Sequence, residues 1–301
     1  MMKSFLHKFI NKLNLTNGLE GAIKCAIRKQ FLEDKIINSS ISGITKEKYC
    51  DCEIIVSLTS YGRRLMSVCY AIESIMQQEK KANRIVLWLG EKDFDGHIPT
   101  SLKKQCDRGL EIRRTKDIRS YTKIIPSLQM FPNAAIITID DDIMYDFDII
   151  GNIIDSYIAN QNCIHACRCH VIKYASNGTM LPYYKWQWCS FDTQNNCNNF
   201  FTGVGGVLYP PHCFDPEIFN EKIFLDICKT ADDVWLNAMA RKSNTKICKV
   251  PTKSARCEDY VELQDVQDIA LNFVNVASSQ NDVQLKKVWN RYFQETPNRK
   301  K

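Results

Sequence analysis

The residues in this sequence that invite chemistry are its grouped carboxylates. Asp140-Asp141-Asp142 closes an apolar run, Ala134-Ala-Ile-Ile-Thr-Ile139, and Asp232-Asp233 opens a helical pattern after Ala231. Three like charges in succession repel one another unless a cation or a polar partner offsets them. If the chain stays extended, Asp140 and Asp142 point the same way. Two such carboxylates suit one hard divalent ion, with oxygens about 2.0–2.6 Å from Mg2+ or Ca2+. A calcium-binding EF-hand loop starting at Asp140 would need glycine at its sixth place and glutamate at its twelfth; the chain has Tyr145 and Gly151 there. A phosphatase of the strand-then-Asp-x-Asp-x-Thr type would need Thr or Val at residue 144, which is Met144. The bland alternative is a solvated acidic turn after a core strand.

The elements that must position these acids follow from periodicity. The run into Asp140 reads as a strand buried on both faces, as in a parallel sheet, whose ligands sit beyond the carboxyl ends of the strands. Earlier strands are expected at Glu53–Thr59, Arg84–Leu89 and Leu110–Arg113, so the aspartates end the fourth. Helices are expected where Leu65, Val68, Cys69, Ile72, Ile75 and Met76 repeat at helical spacing, and from Ser120-Tyr121 to Phe131-Pro132. Downstream come a helix to Asn160, a strand Cys163–Tyr174, and a strand-like Phe200–Leu208 holding three glycines. A helix from Asp232 through Arg241, a strand Lys246–Val250 and a helix over about 279–293 complete the series. This alternation predicts an α/β fold: a doubly wound, mostly parallel central sheet with flanking helices.

At 301 residues and 45% hydrophobic, the chain can bury one large core, with at most a small appendage. The net charge of +6 lies largely at the two ends. It suits an anionic membrane surface or phosphate-bearing substrates better than nucleic acid, whose single-strand binders interleave basic and aromatic residues. No stretch approaches the ~20 apolar residues of a membrane span, and no secretion signal is read at the N-terminus. The 14 cysteines therefore read as reduced core thiols. Cys163-Ile-His165-Ala-Cys167-Arg-Cys169-His170 alternates like a strand and lacks a zinc-ribbon partner pair. Within residues 2–14, Phe5, Leu6, Phe9, Ile10 and Leu13 share a helical face, with Lys3, His7, Lys8 and Lys12 around the rest. That pattern fits a helix lying in a membrane interface, or an ordinary packed one. A cytoplasmic protein, peripheral on the inner face of the plasma membrane, is the expectation.

Four stretches in this order resemble a GT-A-type nucleotide-sugar glycosyltransferase of the kind that builds bacterial surface polysaccharide. They are Val56-Ser-Leu-Thr-Ser-Tyr61, Ile139-Asp-Asp-Asp142, Gly203-Val-Gly-Gly206 and Ala231-Asp-Asp-Val-Trp-Leu236, within residues 50–255. The resemblance implies a GT-A-like catalytic domain over 48–260; the helices and linker before it (1–47) and the helical tail after it (261–301) lie outside the resemblance. It implies an inverting, metal-dependent hexosyl transfer from a nucleotide-diphosphate donor, with UDP-sugar expected, to a glycan or lipid-linked oligosaccharide. Asp140 and Asp142 would hold Mn2+ or Mg2+, Asp142 most directly, while Asp140 and Asp141 also meet the nucleotide. Thr59, Ser60 and Tyr61 would line the base and ribose; Arg63 or Arg64 would pair with phosphate; Lys123 would face the diphosphate and Asp117 the base or ribose. Asp233 would be the catalytic base and Asp232 a cap or acceptor contact, where the family's usual pair is Glu-Asp. Gly205, Gly206, Trp186 and Trp188 would meet a sugar, and His165, His170 and His212 are expected to be structural. A retaining transferase on the same fold, and a non-catalytic glycan- or membrane-binding protein, are the rival readings. A nucleotidyltransferase would carry a Gly-rich, Arg-containing signature after the first strand, which is missing here.

Overall fold

The computed structural model describes residues 2–91, 97–190, 198–254, 256–269 and 280–293, with the side chains of 2–18 and 267–269 outside the description. In chain order, α1 (Met2–Asn38) precedes β1 (Ile54–Ser60), α2 (Val68–Met76), β2 (Arg84–Gly90), α3 (Thr100–Cys106), β3 (Leu110–Thr115), α4 (Ile125–Met130) and β4 (Ala135–Thr138). Then come β5 (Ile143–Tyr145), α5 (Ile149–Ala159), β6 (Cys163–Ala166), β7 (Cys169–Val171), β8 (Asn199–Phe201) and β9 (Val207–Tyr209). The chain continues with α6 (Glu221–Ile227), α7 (Asp232–Lys242), β10 (Lys246–Lys249), β11 (Tyr260–Glu262) and α8 (Gln280–Tyr292).

Seven strands form the central sheet in the order β10-β6-β9-β4-β1-β2-β3. All its pairings are parallel except those of β9, which runs antiparallel to both β4 and β6. Period two in the β-branched runs explains why the sheet is buried on both sides. Ile55, Val86, Trp88 and Ile136 enter one core, while Ile54, Val56, Leu58, Ile85, Leu87, Ala135 and Ile137 enter the other. β4 lies at the centre in register with β1, Ser57 opposite Thr138, so the acidic triplet begins just beyond the sheet.

Two expected strands are broken. The stretch 163–174 divides into β6 and β7, which pair with different partners. The stretch 200–208 divides into β8 and β9 because Gly205 and Gly206 take φ of +93° and +100°, a turn that side chains disfavour. That turn sends β9 back between β4 and β6.

The described side chains of α1 and α8 pack on this frame. Cys25, Leu32 and Ile36 of α1 are buried, and the Arg28 guanidinium donates to Tyr145 O and sits 3.9 Å from the Phe147 ring centre. Gly43, in the expected linker, donates to Arg108 O, and a Cβ there would collide with Met76. Leu285 and Val288 of α8 join the core beneath α7. Every described cysteine is free and most are buried, and among the described residues no group of three His, Cys, Asp or Glu side chains could hold a metal by itself. His165 is satisfied by Ser156 Oγ and Asn160 O, both at 2.8 Å. Exposed His212 is held by Asn133.

One buried ion pair ties α1 and the segment after it to the sheet. Arg108 donates to both oxygens of fully buried Glu73, at 2.9 and 3.0 Å, and through Nε to Ile41 O. Removing the cation strands a buried carboxylate, which costs about 3–5 kcal/mol. Arg108→Met should lower the unfolding free energy measured by denaturant titration by that amount, and adding Glu73→Leu should recover most of it. Equal stability of the single variant and the wild type would contradict the buried pairing.

Candidate active site

A cavity of about 870 Å3 opens beyond the carboxyl ends of β1 and β4, and both acidic groups line it. A helical turn, Arg119–Lys123, delivers the buried Lys123 side chain between them. Its Nζ lies 2.7 Å from Asp140 Oδ1 and 3.6 Å from Asp232 Oδ2. Burial alone would weaken the ammonium, but Asp140, Asp232 and Asp233 outweigh it and hold the pKa well above the usual lysine value. The residue is further fixed by Ser57 Oγ, which donates to its carbonyl at 2.5 Å.

Arg64 is the second buried cation. From the turn after β1 it donates to Asp141 Oδ1 at 2.7 Å and pairs with Asp142 Oδ2 at 3.2 Å. Ser60 Oγ donates to the other Asp141 oxygen at 2.6 Å. Arg63, its neighbour, is exposed and lies outside the cavity lining, whereas Arg64 lines it. The extended course expected through the triplet does not hold, because β4 ends at Thr138. Residues beyond it turn, and Asp140 and Asp142 reach different cations, Lys123 and Arg64. Asp142 is nevertheless pushed up to about 6, by burial first and then by the charge of Asp140. Burial also raises Asp141, against the pull of Arg64 and Ser60.

On the facing element, α7 begins at Asp232 without a side-chain cap of its own. Gln284 of α8 accepts from the Thr230 and Ala231 N–H groups instead, at 3.0 and 3.2 Å. This frees both aspartates for the cavity: Asp232 pairs with Lys123, and Asp233 Oδ1 accepts from Gly203 N at 3.0 Å. A Cβ on Gly203 would lie 3.2 Å from Lys123 Nζ and 3.3 Å from Asp233 Oδ1, so only glycine fits without displacement. Asp233 keeps some exposure to the cavity, yet burial and then Asp232 push its pKa to about 7.

The remaining expected residues separate. Thr59, Ser60, Tyr61 and Asp117 line the cavity; Thr59 Oγ1 donates to Trp88 O, Tyr61 stands at the mouth, 46% exposed, and Asp117 accepts from Arg119 N. Trp188 lines it too, 43% exposed, whereas Trp186 is 4% exposed, its ring 5.1 Å from Phe200 inside the core. Gly205 and Gly206 stand outside the lining, against Cys167 and Ile153, where they make the turn before β9. Sequence reasoning missed Arg168, which lines the cavity from a Cys- and His-rich run whose spacing signals only a strand. A second cavity, about 830 Å3, has His165 and Lys249 in its wall, both already hydrogen-bonded within the chain.

No protein-family model and no curated protein matches this sequence. Solved structures do. PcManGT, a mannosyltransferase from Pyrobaculum calidifontis in complex with GDP-Man and Mn2+, aligns with a TM-score of 0.52 at 12% identity, over 92% of this chain and 73% of that one. Residues 1–349 of S. aureus TarS align with a TM-score of 0.45 at 14% identity, over 80% of this chain and 72% of that one. The fold is that of the GT-A-type glycosyltransferases. At such identity the likeness to the mannosyltransferase is one of fold, and the chemistry of the cavity has to be argued from its own residues.

The raised Asp233 carboxyl has a consequence for stability. Its pKa is near 3.8 when free and about 7 in the folded chain, so folded protein binds more protons between those values. Stability contributed by this group is therefore lost as pH rises from about 4 to about 7. Asp233→Asn keeps an acceptor for Gly203 and removes the buried charge. It should raise the melting temperature of ligand-free protein at pH 8, with the gain vanishing towards pH 4. A gain that grows at low pH would contradict the burial of this acid.

Proposed function

We propose that this protein is an inverting glycosyltransferase, moving a sugar from a nucleoside diphosphate to a hydroxyl of a glycan or lipid-linked oligosaccharide in cell-surface polysaccharide synthesis. The observation that carries the reading is that the strand-end and helix-start acids line one cavity, with Lys123 in contact with both groups. Breaking the anomeric bond leaves negative charge on the departing diphosphate, which prearranged cations stabilise. Lys123 and Arg64 are held in place for that by the aspartates they pair with. Thr59, Ser60, Tyr61 and Asp117 are assigned to the nucleoside end.

The donor set fits a divalent ion. Among the described residues, Asp140, Asp141, Asp142, Asp232 and Asp233 share this wall with two buried cations, Lys123 and Arg64, and the partly buried Arg168, and Asp142 is pushed towards protonation by burial and then by Asp140. Asp140 and Asp142 are the residues that would hold Mn2+ or Mg2+; ions of this kind often take few protein carboxylates and complete their shell with water and phosphate. Bound there, the ion supplies charge neutralisation at the diphosphate. The GDP-Man and Mn2+ bound by PcManGT support this type of donor and metal on this fold. The nucleobase is best tested with both UDP- and GDP-sugars.

Asp233 is the base in this reading. As the acceptor oxygen forms its bond to the anomeric carbon from the face opposite the diphosphate, the hydroxyl proton passes to the Asp233 carboxylate and the diphosphate leaves. The anomeric configuration inverts. Asp232 holds Lys123 and stands beside the acceptor. A base with pKa about 7 is ionised above that pH, so transfer should rise with pH through about 7 and then level. Asp142→Ala and Asp233→Ala should each lower transfer by about 10²–10⁴-fold, and chelation should abolish it. NMR of the product would show the inverted anomer. Full activity in both variants, or a retained anomer, would sink the assignment.

We also propose contact with an anionic membrane surface through residues 2–14, whose side chains lie outside the described residues. The next turns of α1 leave Leu19, Ile23 and Ile27 exposed. Among the described residues, no helix is long and apolar enough to cross a membrane. Removing residues 2–18 spares the packed Cys25, Leu32 and Ile36. It should shift the protein out of the vesicle pellet in sedimentation with anionic liposomes. Unchanged sedimentation would refute the contact.

A further inference from the structure

Arg168 lies between β6 and β7 and lines the same cavity as the two acidic groups. It is partly buried and doubly tied to Thr202: its Nε donates to Thr202 Oγ1 at 2.7 Å, and its carbonyl accepts from Thr202 N at 3.1 Å. The next residue, Gly203, is the one whose N–H binds Asp233. The guanidinium is therefore fixed one residue away from the anchor of the proposed base. Among the described residues, Nε is its one hydrogen-bonded nitrogen and no carboxylate forms an ion pair with it.

This sets Arg168 apart from the other cations in the cavity. Lys123 and Arg64 are already paired with aspartates, while Arg119 and Lys229 are exposed and solvated. Glu262 feels the Arg168 charge, yet burial and Glu258 still raise its carboxyl, as expected of a neighbour and not of a partner. A half-buried guanidinium whose terminal N–H groups are not taken up by the described residues is a strong bidentate site for a carboxylate or phosphate.

Beside it stands an aromatic platform. The Trp188 ring stacks on buried His170, with centroids 4.8 Å apart and planes 26° from parallel, and its Nε1 donates to Tyr183 O at 3.2 Å. His170 is kept neutral, its pKa pushed down to about 3 by burial and then by Arg168. One side of the indole is thus backed by protein, while the residue remains 43% exposed on the cavity. Such a surface suits the apolar face of a sugar ring.

We propose that Arg168 and Trp188 form the acceptor subsite, and that the acceptor is a saccharide bearing an anionic group, carboxylate or phosphate, near the hydroxyl that reacts. This rests on Asp233 being the base of a glycosyl transfer. The test is a matched acceptor panel with the full-length enzyme: p-nitrophenyl glucoside, p-nitrophenyl glucuronide and p-nitrophenyl glucoside 6-phosphate. The glucuronide or the phosphate should exceed the neutral glycoside in kcat/KM by roughly tenfold or more, the scale of a charged hydrogen bond. Whichever is preferred names the anion. Arg168→Gln should bring the ratio to within about twofold, chiefly through KM for the anionic member, and Arg168→Lys should keep part of it.

A neutral glycoside used as well as either anion, or an Arg168→Gln variant that slows all three equally, overturns the proposal. Hydrolysis of a nucleotide sugar without any acceptor separates the two levels. If the wild type hydrolyses donor and shows no charge preference, only the acceptor subsite is wrong. If it neither binds nor hydrolyses any nucleotide sugar, the transferase reading has failed and this proposal falls with it.

Discussion

A buried ammonium between two sets of carboxylates is the constraint on which the rest of this molecule depends. Lys123 Nζ touches Asp140, at the end of the central strand, and Asp232, at the start of α7. These acids are 92 residues apart in sequence, and their mutual repulsion would otherwise push the strand end and the helix start away from each other. With the cation in place, both groups stay in one cavity and Lys123 stays charged. Arg64 does the same for Asp141 and Asp142. Four of the five aspartates are thus held by two buried cations, and the fifth, Asp233, by a backbone N–H.

The fold makes this arrangement possible by bringing the acidic triplet to the carboxyl end of its central strand. β1 and β4 pair in parallel, so both end on the same side, and Ser60 and Asp140 emerge from neighbouring strands. The glycine turn before β9 carries Gly203 under Asp233. α8 closes the other side, where Gln284 takes over the capping of α7. Each supporting contact comes from an element distant in sequence, as expected where a charged cluster must be held against its own repulsion.

Much of the architecture was legible in the sequence. Runs such as Ile54–Leu58 and Ala135–Ile137 are apolar at every other position on both faces, which only a covered sheet requires. The paired acids stood out because three or two adjacent charges at element boundaries need an explanation. What stayed hidden were choices between neighbours. The turn after β1 places Arg64, and not Arg63, in the cavity, and the extended stretch after Lys185 leaves Trp188 facing it while Trp186 is buried. The three glycines of 203–206 were visible as a group, but only positive φ at Gly205 and Gly206 shows that these make the turn and that Gly203 makes the close approach. Arg168 was masked by the cysteines and histidines around it, and its free guanidinium is a property of tertiary packing.

The central claim is that the strand-end acids grip a cation that in turn holds a sugar nucleotide's diphosphate. Calorimetric titration of GDP and UDP into the protein, with and without Mn2+, measures that coupling directly. The account predicts that at least one nucleotide binds roughly tenfold or more tightly with the metal, a coupling of about 1.4 kcal/mol, and that Asp142→Asn removes the increment. Equal affinity with and without Mn2+ for both nucleotides, or an increment untouched by that substitution, would contradict it.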